Sequence, residues 1–333
     1  MMQETLKHAA AMAQHAVVAT PETIALAARH LRAGDLVAFP TETVYGLAAN
    51  AFDASAVEKI FAAKRRPRSS PLIVHIADAH DAHRVVRVWP DSAELLAREF
   101  WPGPLTMVLP RNEAIPTLVS GGLDTVGVRL PEHPVARELI REAGVPLAAP
   151  SANEFMQLSP TAASHVARSL GNRVAMILDG GNSHAGIEST VVAISEQGEV
   201  TLLRPGAISR ARIEHVLGAK VPDAHWDKQG SAPSPGMHDR HYAPRTPLRL
   251  VSRQSPLPDG PGALISLGTP RPGLPEGLTE IVLGASPEVY AQGLYAALHS
   301  VDHPPHKWIA LEAPPQQAAW EAVNDRLRRA ESR

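Results

Sequence analysis

The sequence predicts an α/β protein in two parts. A mixed α/β domain takes residues 1–218, a proline-rich linker 219–247, and a small open α/β domain with parallel strands 248–333. Three observations predict this. Helical and strand patterns alternate from about residue 20 to 218. Residues 219–247 then hold five prolines (Pro222, Pro233, Pro235, Pro244, Pro247), few apolar side chains, and Gly230 and Gly236. Beyond them, short apolar runs again alternate with helical stretches.

In the first domain, Thr20 can cap a helix with Pro21 at its first position, running to about Arg32. Residues 36–39 read as a buried strand. Asp53 reads as the cap of a helix with Val57, Ile60 and Phe61 on one face. A strand at 72–76 precedes a helix opened by Pro90 that carries Leu95, Leu96 and Phe100. Strands follow at 105–109 and 126–130, a helix at about 134–143 and a short strand at 147–149. Thr161 begins the next helix, with Ser159 able to cap it and Pro160 at its first position. Strands at 176–178, 190–194 and 200–203 lead to a helix that Ser209 caps and that ends near Leu217. In the second domain, strands are expected at 248–251, 263–267, 281–283 and 308–311, with helices at 287–300 and 315–329.

With 333 residues the chain is long enough for two ordinary domains, and 44% hydrophobic content supplies a full core. A net charge of -2 gives no reason for non-specific binding to nucleic acid, so any RNA contact needs a local basic patch. There are no cysteines, which excludes disulfides, thiolate catalysis and cysteine zinc sites. No apolar stretch reaches the ~18 residues of a membrane span. The alanine-rich stretch at 9–19 reads as a helical lead-in and not a signal peptide, and the cytoplasm is the default expectation.

Chemistry concentrates in a few places. Thr41, Glu42, Thr43 and Tyr45 follow a strand, where α/β sheets place ligand loops; a satisfied polar turn is the other reading. Lys64, Arg65, Arg66 and Arg68 end a helix, where cations complement the dipole. Ser69, Ser70 and Pro71 then lead straight into the strand that ends near His75, which suits an anionic ligand. Arg129 stands amid a buried apolar run and needs an anionic partner, a protein carboxylate or a ligand; the reading leans to a ligand. Arg204, before Pro205 and Gly206, has the same two readings. Ser151, Asn153, Ser159 and Thr161 decorate the loop at 149–161, and helix capping and phosphate binding are compatible there. Glu188, Ser189 and Thr190 form a turn beside a strand. The 16 histidines form no convincing metal set: His238 and His241 lie on a proline-rich segment. No GxSxG, Walker A or GxGxxG sequence is present.

Seven segments in order resemble the threonylcarbamoyl-AMP synthase family. They are FPTETVYGLAANA (39–51), KRRPRSSPLIVHI (64–76), FWPGPLTMVLP (100–110), VGVRLPEHP (126–134), APSAN (149–153), IESTVV (187–192) and LLRPGAI (202–208). SPGMHDRHYAP (234–244) is similar to the linker of the family's long form. The resemblance implies a YrdC-like twisted, open mixed sheet around a basic concave cavity, followed by a small Rossmann-like domain. It implies a nucleotidyltransferase that makes L-threonylcarbamoyladenylate and pyrophosphate from L-threonine, bicarbonate and ATP, with Mg2+ accompanying ATP and no protein-held metal. The product serves the N6-threonylcarbamoyl modification of adenosine 37 in tRNA, with possible hand-over to a tRNA threonylcarbamoyl transferase complex and weak tRNA contact.

Carried over by position, the resemblance implies that Thr43, Tyr45, His75, Arg129 and Ser189 hold threonine, with Arg129 on its carboxylate. Lys64 and Arg66 take the catalytic role and, with Ser70, face the phosphates. Thr106, Ser151, Asn153, Ser159 and Arg204 line the nucleotide and carbamoyl region, and Tyr242 of the linker closes over ATP. Two positions depart from the family pattern. Glu154, Phe155 and Met156 follow Asn153 where Ser-Gly is common, and Ser70 stands where Asn is common. A non-catalytic double-stranded RNA or tRNA-binding module is the alternative, which the near-neutral pI and 4% aromatic content disfavour. A carbamoyltransferase of the hydrogenase-maturation kind would need cysteines the chain lacks.

Overall fold

Alternating short strands and amphipathic helices build two stacked α/β units. The computed structural model describes residues 16–224, 234–236 and 240–332. The first unit holds β1 (Ala16–Val18), β2 (Val37–Phe39), β3 (Gly46–Asn50), β4 (Ile73–His75), β5 (Leu105–Pro110), β6 (Thr125–Arg129), β7 (Leu147–Ala148), β8 (Met176–Asp179), β9 (Thr190–Ile194) and β10 (Val200–Arg204). They form one mixed sheet in the order β1-β8-β2-β3-β7-β4-β6-β5-β9-β10.

The helices start where the capping chemistry puts them. In α1 (Pro21–Arg32), Thr20 Oγ1 accepts from Thr23 N–H; in α2 (Ala54–Lys64), Asp53 accepts from Ser55 and Ala56. Arg65 ends α2 in the left-handed region, at φ 54°. The others are α3 (Asp91–Phe100), α4 (Pro134–Ala143), α5 (Ala163–Leu170) and α6 (Arg210–Leu217). Ser209 caps α6 through Arg212 N–H. Leu31, Phe39, Leu139 and Leu178 form a core under α1 and α4. Leu47, Ile60, Ile76, Leu96, Met107 and Ile213 form a larger one under α2, α3 and α6. Helices therefore cover both faces of the sheet, as its near-continuous apolar strands require.

The second unit is a parallel sheet, β11 (Leu248–Val251), β12 (Ala263–Leu267), β13 (Thr279–Leu283) and β14 (Ile309–Glu312), in the order β11-β14-β12-β13. Helices α7 (Pro287–Val301) and α8 (Glu321–Ala330) complete it. Its core is continuous with the first unit: Val44, Leu158, Ile187 and Tyr242 cluster with Ile265, Leu294, Leu298 and Leu327.

The structure departs from the sequence reading at four places. Residues 16–18 are a strand, because their backbone pairs in parallel with Ile177–Asp179; the rest of the alanine-rich stretch, 9–15, lies outside the described residues. β3 falls where no strand is expected; its sequence GLAAN lacks β-branched residues, yet it pairs with β2, Phe39 opposite Gly46. The helix after the 149–161 loop starts at Ala163 and not from a Ser159 cap, because the Ser159 hydroxyl donates to Glu188 instead. The last helix begins at Glu321, after a 3-10 turn at Ala318–Trp320.

Gly186 marks a close approach of the two units. Its φ is 72°, and a Cβ there would lie 2.4 Å from Ala291 O and Gln292 Cα of α7. Both strain and backbone collision oppose a side chain. Gly186→Ala is expected to cost about 2 kcal/mol or more and to lower the melting temperature by roughly 4–8 °C in a thermal-shift assay. An unchanged melting temperature would show that α7 does not dock on this loop in solution.

Candidate active site

Register brings the chemistry together. β4 and β6 pair in parallel with His75 opposite Arg129. β5 and β9 pair with Leu105 opposite Thr190, which sets Thr106 within 2.8 Å of the Ser189 hydroxyl. The β2–β3 loop folds on itself: Thr41 Oγ1 donates to Val44 O at 2.6 Å and lies 2.9 Å from Thr43 Oγ1. These strand ends and loops line a narrow cavity of about 60 Å³. Its wall includes Thr43, Arg66, His75, Arg129, Ser151, Ser189, Arg204 and Tyr242, all named from the sequence. Three arginines face one carboxylate, Glu188, so the wall carries a cationic surplus.

Each arginine is fixed by a different partner. Arg129 donates to Glu42 Oε1 at 2.6 Å and to Gly103 O at 3.3 Å, with both side chains of the ion pair at most 5% exposed. Of the two partners the sequence left open, a protein carboxylate and a ligand, the carboxylate is present: Glu42 supplies a buried counter-charge. Arg204 donates to Ser189 O at 2.9 Å, to Pro235 O at 3.0 Å and to the Tyr242 hydroxyl at 3.4 Å. Arg66 donates to Pro71 O at 2.9 Å and stacks 5.3 Å from the Phe155 ring, while burial lowers its guanidinium to about 10. Burial, and then the Arg129 charge, push His75 down to about 3, so the imidazole is neutral at physiological pH.

Six other sequence-named residues do not line the cavity. Lys64 lies behind it, 1% exposed, with its ammonium donating to the carbonyls of Ser151 and Asn153. Burial, then Arg66 and Arg173, hold that ammonium well below the usual lysine range. Asn153 Nδ2 donates to Glu154 O and Gln157 O and so shapes the loop from within. Ser70 and Thr106 are buried. The Ser159 hydroxyl donates to Glu188 at 2.5 Å. Tyr45 points away, its hydroxyl donating to Gly181 O at 2.7 Å, because β3 turns it to the opposite face from Gly46.

Sequence reading left the main acidic partners without roles. Glu42 orients Arg129. Glu188 accepts from Ser159, from the Tyr295 hydroxyl at 3.2 Å and from Arg326 Nε at 2.6 Å. Burial raises its carboxyl, but Arg326 and Arg204 outweigh this and hold it below the usual range. A buried strand cation was the available signal for Glu42. No local pattern pointed to Tyr295 or Arg326, which arrive from the second unit. A larger hollow, about 560 Å³, opens beside Trp308 between glycine- and proline-rich loops, with Arg271 as the one cation on its wall. It lacks the convergent polar groups of the smaller cavity. Among the described residues no group of three or more histidine or acidic side chains converges on a point. His238 lies outside the described residues. No described helix is long and apolar enough to cross a membrane.

Known proteins share this sequence pattern and this fold. The family profile described as "Telomere recombination" matches residues 29–206, and "Threonylcarbamoyl-AMP synthase, C-terminal domain" matches 208–332. The chain is 40% identical to a threonylcarbamoyl-AMP synthase of Pyrococcus abyssi, over 92% of this chain and 93% of that protein. It is 43% identical to the Bacillus subtilis protein of the same name, over 92% of each. The crystal structure of P. abyssi Sua5 complexed with L-threonine superposes with a TM-score of 0.84 at 37% identity, covering 95% of this chain and 96% of that one. The two matched domains, the identity over 92% of the chain and the shared fold place this chain in the threonylcarbamoyl-AMP synthase family, in its two-domain form.

Proposed function

We propose that the cavity binds ATP and L-threonine side by side and joins them through bicarbonate into L-threonylcarbamoyladenylate, releasing pyrophosphate. The enzyme is then a nucleotidyltransferase whose product supports N6-threonylcarbamoyladenosine formation in tRNA. One observation carries the reading: Arg66, Arg129 and Arg204, from three separate segments, converge with a neutral imidazole and several hydroxyls on one hollow.

The roles follow from charge and reach. Arg129 is held flat by Glu42, and among the described residues no partner takes its Nη1, which suits a bidentate amino-acid carboxylate. Thr43, Ser189 and neutral His75 surround the same end; none of them adds a charge that would compete with the amine. Arg66 and Arg204 suit phosphate oxygens. Lys64 is held beneath the 151–153 loop by two carbonyls, and a triphosphate in the hollow would favour its charged form against the burial that opposes it. Ser70, Thr106, Asn153 and Ser159 act from behind the wall by shaping it.

The reaction needs no protein nucleophile. The threonine amine adds to the carbon of bicarbonate-derived CO2 to give a carbamate. A carbamate oxygen then attacks the α-phosphorus, and the bond to the pyrophosphate oxygen breaks. Positioning and electrostatic stabilisation dominate such transfers. Both nearby carboxylates are already engaged, Glu42 by Arg129 and Glu188 by Arg326, so Mg2+ would be held by phosphate oxygens and water, where it neutralises phosphate charge. The adenylate would pass to a threonylcarbamoyl transferase. An RNA-binding module is the poorer reading, because the three wall arginines are at most 8% exposed and recessed from a nucleic-acid backbone.

Purified protein incubated with ATP, threonine and labelled bicarbonate is expected to release pyrophosphate only when threonine is present; threonine-independent or absent release would overturn the reading. Arg129→Ala should abolish threonine binding in calorimetry while ATP still binds, whereas equal loss of both ligands would reassign Arg129 to structure. His75 gives a pH signature. Its folded pKa lies below the ordinary 6.5, so the unfolded chain binds more protons between about pH 3 and 6.5, and stability falls as pH drops through that window. Between pH 7 and 5 the wild type should lose about 1–2 kcal/mol more than His75→Gln in urea titrations. Parallel pH profiles would show that the imidazole is not held neutral.

A further inference from the structure

We infer that Arg326, on helix α8 of the C-terminal domain, is a positioning residue for the cavity, clamping Glu188 and the ring of linker residue Tyr242 in their working places. The inference rests on the functional reading above and gives the C-terminal domain a role in it.

Arg326 is fully buried, an unusual place for a guanidinium, and its donors reach into the first domain. Nε donates to Glu188 Oε2 at 2.6 Å, and Nη1 to Pro205 O and Asp325 Oδ2, each at 3.0 Å. Its Cζ lies 5.1 Å from the centre of the Tyr242 ring, within cation–π range. One planar group thus touches the acidic wall residue, the turn after Arg204 and the linker tyrosine.

Tyr242 needs such a clamp. Its φ of 59° is left-handed, a conformation that a bulky residue keeps only when its surroundings impose it. Arg204 grips the hydroxyl end, and Gly236 leaves room there, since a Cβ at 236 would lie 2.1 Å from that oxygen. His241 N–H donates to Arg329 O of α8 at 3.1 Å, and Ala243 N–H to Met156 O at 3.0 Å. The tyrosine therefore sits in a slot built half by each domain, with Arg326 on its face. Lysine cannot serve all three partners, because an ammonium lacks the planar fork. It does keep a counter-charge beside Glu188. The pair Arg326→Met with Glu188→Gln removes both charges of this ion pair together, while Asp325 keeps Arg328 and Arg329 as partners.

The test uses the full-length protein. Hydrogen exchange is followed at the amides of His241 and Ala243 without ligand, with β5 and β9 as the reference for global integrity. Arg326→Lys and the R326M/E188Q double variant should each speed exchange at 241 and 243 by roughly five- to thirty-fold, with the reference strands unchanged. In turnover, Arg326→Lys should raise KM for ATP by a similar factor and leave KM for threonine within about twofold. Unchanged exchange at 241 and 243 in both variants overturns the inference, as does faster exchange spread over β5 and β9, which would make Arg326 a general brace. A wild type that binds no ATP would sink the functional reading alone, because the exchange comparison needs no ligand.

Discussion

The carboxylate of Glu188 ties the two domains to the cavity. It is 6% exposed, yet it accepts from Ser159 on one loop, Tyr295 on α7 and Arg326 on α8. A buried anion of this kind survives only when its partners satisfy it fully. Its satisfaction fixes Ser159, and its backbone neighbour Ser189 is gripped by Arg204. The 149–161 loop, the strand carrying Arg204 and the linker are therefore set by one shared charge balance. Domain packing and site geometry are not separable here, which agrees with the single apolar cluster that joins Val44 and Tyr242 to Leu294 and Leu327.

A second constraint is the cost of gathering cations. Arg66, Lys64 and His75 all titrate below their ordinary ranges, with burial the leading cause. The protein holds these groups by carbonyls and ring faces more than by carboxylates, Arg129 being the exception. That arrangement stores an affinity for anions: a polyanion brings the counter-charge the walls lack, in a hollow where water screens little. Joining an amino acid to a nucleotide through a carbamate requires little beyond this, since the carbamate is itself the nucleophile.

Much of the scaffold was legible because its signals are local. Thr20, Asp53 and Ser209 cap their helices as the side-chain chemistry dictates, and the four C-terminal strands fall on the apolar runs. Where long-range contacts compete with local ones, reading by pattern failed. Ser159 has the look of a helix cap but gives its proton to Glu188. β3 has weak strand character and is held in place by β2 and β7. In the site, cations and hydroxyls beside strands were legible as candidates, and eight of them line the cavity. Their partners were not.

The sequence by itself determined the alternation of helices and strands, the break at the proline-rich linker, the inventory of cations and hydroxyls, and the family, because these depend on residue identity and spacing along the chain. Only the tertiary structure decided that Glu42 is the counter-ion of Arg129, that Lys64 and Tyr45 stand behind the wall, and that Arg326 lies against Tyr242. Those pairings join residues 84 or more positions apart, from Arg326 and Tyr242 upward, or depend on which face a strand presents, and no local periodicity encodes either.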